Sequence, residues 1–141
     1  MITIATIGAI VLIWPQKPIN FSVEKLQIND KDIQVHVARS PEEWRQGLSG
    51  LSGLGENEGM FFIFNKSNFY YMWMKDMKFP IDIIWIGDDL KILDYKANVS
   101  PASYPETFVS KQPARYVLEI NAGWIKNNNI EIGAKIVYNG N

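Results

Sequence analysis

After residue 20, apolar and polar positions alternate with a period of two over most of the chain, the pattern of half-buried strands. In residues 21–37, FSVEKLQINDKDIQVHV, two such runs flank Asn29-Asp30-Lys31-Asp32, a polar cluster of the kind that closes a hairpin, and predict two antiparallel strands. Ile33, Val35 and Val37 share one face of the second strand, which leaves Gln34 and His36 facing solvent. No neighbour of His36, the single histidine, completes a base and nucleophile set. The period then changes to that of a helix: Ser40 as N-cap, Pro41 at the first helical position and Glu43 closing a capping box predict a helix from Pro41 to about Leu48. Trp44 and Leu48 form its buried stripe. Arg45 lies beside that stripe, within reach of an inward-facing carboxylate.

Glycine recurs at every third position in GLSGLSG, and the glycine-rich stretch continues to Gly59. It is not a phosphate cradle: no Gly-Lys-Ser/Thr closes it, and the strand-like MFFIF of Met60 to Phe64 follows where a helix would be needed. Residues 69–87, FYYMWMKDMKFPIDIIWIG, hold six aromatic residues and three methionines, more apolar bulk than a solvent-facing segment carries. Pro80 should separate an aromatic strand at 69–74 from a branched one at 81–86. Gly87-Asp88-Asp89 predicts a hairpin turn into LKILDYK. The proline-bearing stretch 98–114 reads as a long irregular connection passing over the central strands. Tyr116 to Ile120 is a further strand, Asn121 caps a short helix ending near Asn128, and Ile130 to Tyr138 is a last strand broken by Gly133.

Two carboxylates fall inside apolar strands. Asp82 shares a face with Ile84 and Ile86, while Ile81, Ile83 and Trp85 occupy the other; Glu119 shares a face with Val117. An ionised carboxylate drawn out of water needs a cation or several N–H donors, and for Asp82 the expected partner is Lys75 or an arginine.

Composition narrows the class. One domain is the default for 141 residues, and 47% hydrophobic with 13% aromatic content supports a core without disulfide or metal. A net charge of -1 gives no electrostatic footprint for nucleic acid. The absence of cysteine removes thiolate chemistry, disulfides and Cys-based metal sites, and no EF-hand spacing is present, so neither a cofactor nor a metal is expected. At the N-terminus, Ile2 to Trp14 is apolar apart from Thr3, Thr6 and Gly8, and Pro15 to Pro18 breaks it. At about 1.5 Å per residue this run falls short of the roughly 30 Å hydrocarbon core, so residues 1–18 read as an export signal or membrane anchor. No basic residue precedes the run and no A-x-A site follows it. Residues 19–141 form the globular domain.

The order of these pieces resembles the domain-of-unknown-function 192 family, also catalogued as uncharacterised protein family 0127. The resemblance covers roughly residues 23–138. It rests on Arg45 with Gly47-Leu48, on Gly59 to Phe64, on Trp73-Met74-Lys75 with Pro80 to Ile83, on Arg115 to Glu119 with Asn121-Ala122-Gly123, and on Ile130 with Gly133. Local departures are Ser49-Gly50-Leu51 where Met and a basic residue are usual, Asp76-Met77 for Asn-Thr, and Gly133-Ala134 for Gly-Asp; roles resting on those side chains do not carry over. The resemblance implies a compact α+β domain dominated by antiparallel strands, often behind an export segment, and no known activity. The fold expected is therefore a mainly antiparallel sheet or partly closed barrel with two short helices.

The residues placed near core strands by this reading, Arg45, Trp73, Lys75, Asp82 and Glu119, make one candidate charged cluster. Three uses are open. The cluster can belong to a monomeric, exported or membrane-anchored domain that binds a small polar or glycan-like ligand beside Trp73 and Lys75. Asp82 and Glu119 can be the acid/base pair of a glycan hydrolase. The third use is purely structural.

Overall fold

The computed structural model describes residues 19–140, and these form a strand-dominated domain built on one curled sheet. The export segment expected at residues 1–18 lies outside the described residues. Among the described residues no helix is long and apolar enough to cross a membrane.

The chain runs β1 (Ser22–Ile28), β2 (Lys31–Ala38), α1 (Pro41–Gln46), β3 (Glu58–Asn68), β4 (Met72–Trp73), β5 (Ile81–Ile86), β6 (Ile92–Val99), β7 (Thr107–Phe108), β8 (Ala114–Asn121), α2 (Trp124–Asn127) and β9 (Ile136–Tyr138). Seven strands pair in the order β6-β5-β8-β3-β2-β1-β9; β4 and β7 form a separate ribbon. All pairs are antiparallel except β2 with β3, whose connection holds α1 and the glycine-rich loop. A parallel neighbour needs such a crossover. The sheet curls far enough that Lys135 bridges to Lys91, and Ile136 N–H donates to the Leu90 carbonyl at 2.8 Å. The expected partly closed barrel is the observed one.

Local signals account for several elements. Asn29 and Asp30 both take positive φ, 46° and 61°, which fits the tight turn between β1 and β2. Both bonds of the Ser40/Glu43 capping box form. Gly47 then ends α1, two residues short of the expected Leu48.

Two expectations fail for identifiable reasons. Only Met72 and Trp73 of the predicted 69–74 strand are extended, because Tyr70 folds back to stack on Phe64 (3.6 Å between centroids) and donates its hydroxyl to the Lys66 carbonyl. Asn121 does not cap α2. Its amide donates to the carbonyls of Leu54 and Gly55, tying down the glycine-rich loop, while Gly123, at φ 89°, occupies the cap position.

The sheet has an apolar layer on each face. One face carries Leu26, Ile33, Phe61, Ile84, Leu118 and Ile120 against Trp124 and Ile125 of α2. The other carries Met60, Phe62, Phe64, Ile83, Trp85 and Val117 against Leu48, Met72 and Met74. Every residue of β5 is buried as a result. Each such aliphatic side chain contributes about 1.5–3 kcal/mol relative to exposure.

Candidate functional site

Asp82 points into the α2 side of the sheet and is fully buried. Its Oδ1 accepts hydrogen bonds from the backbone N–H of Asn98 (2.8 Å) and Gly123 (3.2 Å), and its Oδ2 from Ile125 N–H (2.9 Å). Gly123 and Ile125 stand at the start of α2, so a carboxylate on β5 supplies the cap that the helix lacks locally. No lysine or arginine among the described residues pairs with Asp82, contrary to expectation. Three converging amide donors satisfy the charge instead. Lys75 lies elsewhere, with its Nζ 5.7 Å from the centre of the Trp73 ring. Arg45 projects into solvent and pairs with Glu42 at 3.4 Å.

Glu119 faces the opposite side. Across the sheet it stands between Met60 on β3 and Ile83 on β5, and Met60 in turn stands beside His36 on β2. His36 is half-buried rather than free in solvent, since its Nε2 lies 2.5 Å from Glu58 Oε1. Glu119 is 4% exposed as a residue; its carboxyl has no hydrogen-bond partner among the described residues, and its oxygens keep contact with solvent. Burial alone pushes its carboxyl up to about 8, so it carries a proton at neutral pH.

This carboxyl forms part of the wall of a cleft with a volume of about 150 Å³. Trp44, Phe62, Phe64, Tyr70 and Met72 supply apolar walls; Tyr71 and Trp73, 65% and 48% exposed, flank the mouth with Arg45. The rings brace one another: Trp44 lies 5.1 Å from Phe64 and Phe62 lies 6.2 Å from it, centroid to centroid. Outside the mouth, Trp73 meets Tyr104 edge-on at 5.5 Å.

The five candidate residues thus divide into three environments. Glu119, Arg45 and Trp73 border one cleft, Lys75 packs on the outer surface of Trp73, and Asp82 lies across the sheet. No acid/base pair of Asp82 with Glu119 is assembled. Trp44, Phe62, Phe64 and Tyr70 were not singled out as site residues. The period-two pattern of β3, which puts Phe62 and Phe64 on one face, is the signal that would have found two of them.

Comparison with known proteins agrees with this architecture. The family model DUF192, described as "Uncharacterized ACR", matches residues 24–138. A crystal structure of a candidate transcription regulator from Sinorhizobium meliloti 1021 is similar with a TM-score of 0.82 at 28% identity, over 86% of this chain and 98% of that one. A protein of unknown function from Novosphingobium aromaticivorans DSM 12444 is similar with a TM-score of 0.74 at 28% identity, over 89% of this chain and 90% of that one. No curated protein gave a match.

Proposed function

We propose, from the premise that this chain belongs to the domain-of-unknown-function 192 family, that it is a binding domain for a small ligand held in the cleft walled by Trp44, Phe64 and Glu119. One observation carries the reading: the carboxyl of a nearly buried residue, with no partner among the described residues, borders an aromatic-walled opening. Folding alone gives no return for desolvating that group with no protein donor beside it, and the contact its oxygens keep is with the cleft. A ligand that bonds to it recovers the loss. A purely structural carboxyl has its donors built in, as Asp82 does. The exposed Trp73 and Tyr104 rings extend the surface outward and suit a ligand with an apolar or sugar-like face.

Hydrolysis is the weaker reading, because among the described residues no second carboxylate lines the cleft with Glu119. The regulator designation of the Sinorhizobium protein is not carried over, since a net charge of -1 offers no nucleic-acid footprint. The apolar run Ile2 to Trp14 supports an extracytoplasmic or membrane-anchored placement and a monomer is the simplest state, both parts of the proposal.

The test is a fragment screen by NMR on the full chain. Shifts centred on Trp44, Tyr71, Trp73 and Glu119 are expected; hits confined to other surfaces would overturn the reading.

A further inference from the structure

Four of the hydrogen-bond donors lining the cleft are directed to the backbone, and that bears on the class of ligand. Trp44 Nε1 is directed to the Ala38 carbonyl (3.0 Å), Gln46 Nε2 to the Ser49 carbonyl (2.9 Å), Ser49 Oγ to the Lys75 carbonyl (2.9 Å) and the Tyr70 hydroxyl to the Lys66 carbonyl (2.6 Å). These side chains present rings and methylenes to the cavity and spend their polar hydrogens on the backbone. The polar group set deepest in the wall, with no protein partner among the described residues, is an acid. Once ionised, it accepts N–H from a ligand, and aromatic walls favour positive charge over negative.

We infer that the cleft selects a small organic cation, an ammonium group with a compact apolar substituent, whose N–H groups bond to the Glu119 carboxylate while the substituent packs on Trp44, Phe62 and Phe64. The inference rests on the binding-domain reading. The volume, about 150 Å³, is of the size that takes a benzene-like group in an apolar cavity. An anion would hold Glu119 in its protonated form, since ionisation would set two like charges side by side, whereas an ammonium favours the carboxylate. At the mouth, Arg45 exposes 71% of its side chain and is paired with Glu42, so its charge is largely screened by water.

The binding step is balanced in charge and protons. The Glu119 O–H bond breaks, its proton passes to buffer, and the ammonium, already protonated, takes its place beside the carboxylate. Other titratable or charged groups facing this side are Arg45 on α1, Tyr70 and Tyr71 before β4, Lys75 after it, His36 with Glu58 across Met60, and Lys96 beyond Ile83, its Nζ over Phe108. None of them bonds to Glu119.

Three isosteric probes test this on the full chain by NMR: n-butylammonium, n-butanol and butyrate. Butylammonium alone is expected to shift the cleft resonances, and Glu119→Gln is expected to weaken it by about tenfold or more. Calorimetry near about pH 6.5, in buffers of different ionisation enthalpy, should show close to one proton released per ligand. Stronger cleft binding of butanol or butyrate, or binding without proton release, overturns the cation assignment and leaves the binding-domain reading standing. Silence of all three overturns the assignment, and if the fragment screen is also silent at the cleft, the broader reading falls with it.

Discussion

Asp82 and Glu119 sit one position out of register on neighbouring strands, Asp82 opposite Ile120 and Glu119 opposite Ile83, so their side chains leave opposite faces of the same sheet. Both are buried. The sheet gives them opposite treatment: three amide donors converge on Asp82, and none of the described residues bonds to the Glu119 carboxyl.

The contrast predicts different responses to loss of charge. Asp82→Asn puts an NH₂ group where one oxygen now accepts N–H, so at least one bond becomes a donor–donor clash. A loss of about 2–3 kcal/mol is expected, since hydrogen bonds to charged groups contribute about 1.5–3 kcal/mol each. Urea midpoints at neutral pH check it. The same variant should loosen the start of α2, read as faster hydrogen exchange at Gly123 and Ile125.

Gly59→Ala should be costly for a reason unrelated to backbone flexibility. A Cβ at residue 59 would lie 2.6 Å from the Glu119 carbonyl oxygen and 3.1 Å from Leu118 Cδ1, and the former is backbone that cannot move alone. Pushing β3 from β8 should cost about 1–3 kcal/mol, the usual range for overpacking. Thermal unfolding measures it, and a neutral outcome would show that the two strands can separate without penalty.

How far the chain could be read in advance follows from the range of each signal. The capping box at Ser40 and Glu43 and the turn at Asn29 and Asp30 were legible because every partner lies within three or four residues. Burial of Asp82 and Glu119 was legible from alternation along each strand. Their separation was not, since a period-two pattern labels faces only within one strand, and pairing Asp82 with Ile120 is a contact across nearly forty positions of sequence. The same limit hid the cap on α2, where donors on two distant segments meet one carboxylate. It also hid the cleft, whose aromatic wall joins Trp44 of α1 to Phe64 of β3 and to Tyr70, a residue the local pattern assigns to a strand.

Glu24→Gln should show a loss of stability that depends on pH. Arg39 Nη1 lies 2.9 Å from Glu24 Oε1, and the Tyr138 hydroxyl donates to the other oxygen, linking β1 and β9 to the residue that follows β2. The hydrogen bond from Arg39 is the main cause holding the Glu24 carboxyl below its ordinary value of 4.5. A depressed carboxylate stabilises the fold above its unfolded value and ceases to do so as pH falls through the folded one. The variant should therefore lose about 0.5–1 kcal/mol at neutral pH, in the range of partly exposed pairs, and approach the parent chain in acid. Urea midpoints at several pH values decide; a constant difference would mean that charge is not involved.

Glu119 reverses that sign. Its carboxyl ionises near 4.5 in the unfolded chain and near about 8 in the folded one, with burial as the cause. Below the lower value both states hold the proton, and above the upper value neither does. Between them only the folded protein is protonated, so unfolding releases a proton and stability falls as pH rises, at about 1.4 kcal/mol per pH unit from this group. Replacement by Gln, which has no proton to lose, should remove that slope. Near about pH 5 the variant and the parent chain should differ little; near about pH 8 the variant should be more stable by a few kcal/mol. Denaturant midpoints across this range provide the measurement. Parallel profiles would mean that water or a neighbour keeps Glu119 ionised in the folded state, and the proton release expected on cation binding would then have to be abandoned.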